Sequence, residues 1–65
     1  MRKVKEYRLL NDYTQEYVAK RLGIVTNTYS LKENNIRKFT LKEALILSEL
    51  YKVTVNDIFT LEDIK

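Results

Sequence analysis

The chain has 65 residues, no cysteine, no histidine and a formal net charge of +3. A domain this short buries only about 60% of the surface of its unfolded chain, so it builds one modest core. The composition excludes disulfides, thiolate nucleophiles, imidazole bases and the usual zinc sites, and with serine only at Ser30 and Ser48 no nucleophile has an obvious base. No enzyme, cofactor, metal or small-molecule ligand is therefore expected. No apolar run approaches the roughly 20 residues that span a bilayer, and the amino-terminal stretch MRKVKEYRLL is mixed in charge, unlike a secretory signal. A soluble, cytoplasmic protein is the expectation.

The charge is unevenly spread. Residues 1–42 hold ten Lys/Arg against four acids, whereas residues 43–65 hold two against five. A basic amino-terminal part with an acidic tail suits an anionic partner, although a solvated mixed surface has the same composition.

With no proline, one glycine and no repeat, the chain reads as short helices throughout. Residues 2–11 carry Val4, Tyr7 and Leu10 or Leu9 between charged positions, as an amphipathic first helix does, and Asn11-Asp12 ends it. A second helix starts after Thr14, whose hydroxyl can cap it, and runs through QEYVAKRL to Gly23, with Val18 and Leu22 on one face. A third extends from about Thr26 to Glu33 before Asn34-Asn35 breaks it. Thr40-Leu41-Lys42-Glu43 has the form of a capping box, so a fourth helix follows over about 41–51. Its inward stripe is expected to be Leu41, Ala44, Leu45 and Ser48. Thr54 can cap a short fifth helix in VTVNDIF, and TLEDIK is too short to assign.

Helix two, a three-residue turn opened by glycine, and helix three have the spacing of a helix-turn-helix. Thr14-Gln15, Ala19, Leu22-Gly23-Ile24, Glu33-Asn34 and VTVNDIF occur in order. On these residues the chain resembles the Cro/C1-type helix-turn-helix domains over residues 2–59. The resemblance implies an all-α, compact five-helix domain over residues 1–59, with 60–65 a short C-terminal extension. The chain departs from the family pattern in instructive places. Asp12, Asn35 and Lys52 stand where relatives commonly have glycine, and of these lysine tolerates a left-handed backbone least. Val25 replaces the usual capping Ser or Thr, which leaves Thr26 as an alternative cap. Lys32 replaces a buried aliphatic, and its ammonium is expected to snorkel outward.

The resemblance also implies roles. Thr26, Asn27 and Leu31 match base-facing positions of the recognition helix; the Asn27 amide can pair with adenine N6 and N7, and Leu31 can meet a thymine methyl or, with the helix turned slightly, pack inward. Gln15, Asn34, Arg37 and Lys38 are expected at phosphates, and Thr28 and Ser30 at phosphate, at a base or on their own helix. Tyr29 matches an inward position, its phenol tip reaching toward the surface. Arg8 and Glu33 match a structural ion pair. From the helical spacing itself, Ile46 and Leu50 form an i, i+4 pair outside the inward stripe of helix four; with the segment around Val55 and Ile58 they are candidates for a two-fold dimer interface, or the pair completes the core. The expected function is that of a bacterial or phage transcriptional regulator, a repressor in the simplest case, binding a near-palindromic double-stranded operator as a homodimer. The alternative is an antitoxin-like or anti-repressor module that uses the same fold on another protein.

Overall fold

Residues 3–65 are described by a computed structural model; residues 1 and 2, where helix one was expected to begin, lie outside the described part. The described residues form α1 (Lys3–Leu10), α2 (Gln15–Leu22), α3 (Thr26–Glu33), α4 (Leu41–Tyr51), α5 (Val55–Ile58) and a 3₁₀ turn (Leu61–Asp63). None of these helices is long and apolar enough to cross a membrane.

Side-chain caps fix most helix starts. The Thr14 hydroxyl accepts the Tyr17 N–H at 3.0 Å. Thr40 and Glu43 form a reciprocal box, the hydroxyl accepting the Glu43 N–H at 3.1 Å and the carboxylate accepting the Thr40 N–H at 2.9 Å. Thr54 and Asp57 repeat it at the start of α5; the bonds donated by Thr54 hold the Asp57 carboxyl below its ordinary value. A further box, Thr60 with Asp63, orders the segment TLEDIK.

Helix ends turn through the left-handed region at Asp12 (φ 56°), Gly23 (75°), Asn35 (64°) and Lys52 (56°). Asp12, Asn35 and Lys52 therefore adopt the left-handed backbone that glycine takes most readily.

The core joins Val4, Val18, Ala19, Leu22, Tyr29, Phe39, Ala44, Leu47, Tyr51, Ile58 and Phe59. Phe39 lies edge-on to both Tyr29 and Phe59, with ring centroids 6.2 and 5.2 Å apart. On one flank, Tyr7 and Tyr13 both stack on Tyr51, and Tyr17 packs beside Tyr13. This row of rings ties α1, the start of α2 and the end of α4 together.

Two expected faces are corrected. On α1, Leu9 and Leu10 are exposed, and Arg8 is buried in their place beside Val4. On α4 the inward stripe is Ala44, Leu47 and Tyr51, while Leu41 and Leu45 are 57% and 52% exposed. The stripe keeps its i, i+3, i+7 spacing but is rotated, and Tyr51 at its end stacks on Tyr7 of α1 and on Tyr13. Ser48 instead donates its hydroxyl to the Leu45 carbonyl.

Residues 60–65 fold back onto the domain. Ile64 forms a parallel bridge with Phe39 and packs against the core.

Candidate nucleic-acid interface

α3 differs in character between its two ends. Its first residues, Thr26 and Asn27, are exposed, and the N-cap is Val25, which offers no side-chain acceptor. Thr26 is the first helical residue and does not cap, contrary to the alternative drawn from the sequence. The leading N–H groups of α3 thus lack a side-chain cap and carry the positive end of the helix dipole. Among the described residues nothing bonds to the Asn27 amide, so its donor and acceptor are available to a partner. Thr28, Ser30 and Leu31 are half-buried; Ser30 accepts the Asn34 amide at 3.3 Å.

The other end of α3 is anchored by buried charge. Glu33, 2% exposed, accepts the Arg8 Nε–H at 2.9 Å on one oxygen and the Gln15 amide at 2.6 Å on the other. Arg8 also donates to the Tyr13 carbonyl at 2.9 Å. One carboxylate therefore joins α1, α2 and α3. Gln15 was expected at a phosphate; its amide nitrogen is already engaged by Glu33, which holds the side chain at the amino end of α2.

Lys32 corrects a second expectation. Its ammonium does not snorkel to solvent but is buried against Glu43 at 2.6 Å. The same Glu43 oxygen accepts the Thr40 N–H, so the capping box of α4 also neutralises α3. Sequence reasoning recognised the box but not its second task. The available signal was the pairing of an unusual buried-position lysine with an acid in the next helix's first turn.

Tyr29 and Tyr51 close the interior side of this cluster. Among the described residues neither buried hydroxyl has a hydrogen-bond partner, and the Tyr29 tip does not reach the surface. Burial, reinforced by the Glu33 carboxylate, pushes the Tyr29 phenol far above its ordinary value. Burial likewise raises Tyr51, to about 12.

Arg37 and Lys38, in the connection after α3, are exposed, as is Asn34. No group of three or more acidic side chains among the described residues could hold a metal ion. Of the residues considered for a dimer interface, Ile46, Leu50 and Val55 are half-buried against the core. Ile58 is 6% exposed and belongs to the core, so it has little surface left for a partner.

The arrangement is a helix whose carboxyl half is bolted into the domain and whose amino half is presented outward, polar and uncapped. A helix-turn-helix model matches residues 4–58. The chain is 38% identical over 61 residues to an uncharacterized HTH-type transcriptional regulator of Methanocaldococcus jannaschii, spanning 94% of this chain and 92% of that protein. No solved structure gives a significant match. By this match, and by the helix order and turn geometry that accompany it, the chain belongs to the Cro/C1-type helix-turn-helix family.

Proposed function

We propose that this protein is a sequence-specific, duplex DNA-binding transcriptional regulator that reads the major groove with α3. The observation that carries the reading is the contrast between the exposed Thr26 and Asn27 and the buried, ion-paired Lys32 and Glu33 on the same helix. A recognition helix needs a rigid anchor and a free polar amino end, because orientation errors at the anchor become displacement at the base edges. In this reading Asn27 and Thr26 face base edges and the remaining surface of Leu31 meets a thymine methyl. Thr28, Ser30 and Asn34 lie along the strand, Gln15 meets a phosphate through its remaining amide proton and the start of α2, and Arg37 and Lys38 supply further phosphate contacts. The relative's description as a transcriptional regulator agrees with this. Repression is the simplest outcome, since an occupied promoter excludes polymerase.

The reading includes a homodimer on a near-palindrome, with recognition helices about 34 Å apart. Its support is the outer side of α4, where Leu41 and Leu45 are exposed and Ile46 and Leu50, with Val55, keep part of their apolar surface.

The test begins by selecting bound fragments from random duplex DNA. Asn27→Ala should then cost about 1–3 kcal/mol on the selected operator and relax discrimination at one base pair per half-site. Arg37→Ala should weaken binding to all sequences and reduce the slope of log affinity against log salt by about one per site. A wild-type protein with no preference among duplexes would overturn the reading in favour of a protein-interaction module.

A further inference from the structure

Residues 60–65 are held by backbone pairing. The Phe39 N–H donates to the Asp63 carbonyl at 3.0 Å, and the Lys65 N–H donates to the Phe39 carbonyl at 2.9 Å. Phe39 is fully buried and Ile64 packs against the core, so both side chains of this parallel bridge face inward. Successive residues of extended chain point to opposite sides. Lys38 and Thr40, on either side of Phe39, and Lys65, next to Ile64, therefore share the outward side.

That side forms one wall of a groove of about 590 Å³ lined by Lys32, Arg37, Lys38, Thr40 and Lys65. Every charged side chain along it is basic. Lys32 is neutralised by Glu43 at 2.6 Å and adds no net charge, which leaves Arg37, Lys38 and Lys65 as the exposed cations. Asp63, the acid nearest in sequence, has a carboxylate oxygen turned onto the Thr60 N–H and hydroxyl at 2.8 and 3.1 Å, and it does not line the groove.

We propose that residues 60–65 complete the DNA-contacting surface, with Lys65 a third phosphate contact beside Arg37 and Lys38 at the foot of α3. This rests on the reading of the chain as a duplex-binding regulator. The bridge matters because a lysine on a free tail loses its conformational freedom on binding, whereas the backbone of Lys65 is already ordered. The groove fits a phosphodiester strand: its charge is concentrated, its polar neighbour Thr40 adds a hydroxyl, and it adjoins the loop that follows the recognition helix.

The experiment measures affinity for the selected operator and for random duplex at several salt concentrations, using the wild type, Lys65→Gln, Lys65→Glu and, as a control for net charge, Lys52→Gln. Lys52 caps the far end of α4, about 16 Å of helix from the Thr40 wall of the groove. Thermal melting checks folding, which an exposed side chain leaves intact. Lys65→Gln should lower the salt slope by about one per protomer, Lys65→Glu should weaken binding further, and Lys52→Gln should change neither; base preferences should stay as in the wild type. A wild type that binds with sequence preference while Lys65→Gln keeps its full slope would overturn this proposal and leave the DNA-binding reading standing. Equal losses from Lys65→Gln and Lys52→Gln would also overturn it, as an effect of net charge. A wild type without sequence preference or salt dependence would remove both.

Discussion

Lys32 Nζ lies 2.6 Å from Glu43 Oε1, with both side chains about nine-tenths buried. A charge pair inside so small a domain is costly to desolvate, and its geometry has to compensate. Here it does so by sharing: the Glu43 oxygen serves the ammonium and the Thr40 N–H together. Glu43→Gln should lose stability on the order of 3–5 kcal/mol by leaving Lys32 without a counter-charge. The double change Lys32→Met with Glu43→Gln should recover most of that, since glutamine still completes a capping box. Urea unfolding of the three proteins checks this, and a double variant no more stable than Glu43→Gln would refute it.

The Arg8–Glu33 pair should behave differently. Arg8→Met alone again strands a buried carboxylate, at a cost on the order of 3–5 kcal/mol. Yet adding Glu33→Leu should give only partial recovery, because the Tyr13 carbonyl and the Gln15 amide lose their partners as well. Melting temperatures of the single and double variants, set beside those of the Lys32–Glu43 pair, report the difference. Full recovery would mean that those two flanking bonds contribute nothing.

Backbone strain at the end of α4 yields a stabilising change. Lys52 holds φ 56°, a conformation costing a non-glycine residue about 1–2 kcal/mol. Lys52→Gly should raise stability by about 1 kcal/mol, the flexibility of glycine in the unfolded chain offsetting part of the gain. Gly23→Ala is the reverse case: a β-carbon there meets nothing within 4 Å, so its expected loss of about 1 kcal/mol is purely conformational. Chemical denaturation of both proteins measures the two effects, and a destabilised Lys52→Gly would refute the first.

The buried phenols predict an alkaline limit. Tyr29 and Tyr51 bind their protons more tightly folded than unfolded, Tyr51 with a value of about 12. A raised acid contributes stability in full below its unfolded value of about 10, and loses it as pH rises through the folded value. Stability should therefore fall above about pH 10, and less steeply in Tyr51→Phe, which also removes an unpartnered hydroxyl. Denaturation midpoints measured across that range test it; identical pH profiles for the two proteins would count against it.

Local chemistry was legible in the residues themselves. Thr14, Thr40 and Thr54 mark helix starts because a short hydroxyl reaches the N–H three residues on, and Gly23, Asn34-Asn35 and Asp12 mark ends because those residue types tolerate the turns required. These are interactions between near neighbours in the chain, and the order of the elements followed from them. The helix-turn-helix spacing was legible for the same reason.

Which side of α1 and of α4 turns inward was decided only by the tertiary structure. The 3.6-residue period confines the apolar arc to a sector but does not choose between Arg8 and Leu9 on α1, or between Leu45 and Leu47 on α4. Arg8 enters the core because Glu33, 25 residues away, meets it there, and Lys32 does so because Glu43 opens the next helix with an oxygen that serves both the ammonium and the Thr40 N–H. A charge can be buried only where a partner has been brought to it, and a bridge such as Phe39 with Ile64 exists only once both segments lie on the same core. Such pairings depend on the positions of distant residues in space, a quantity that no local pattern along the chain contains.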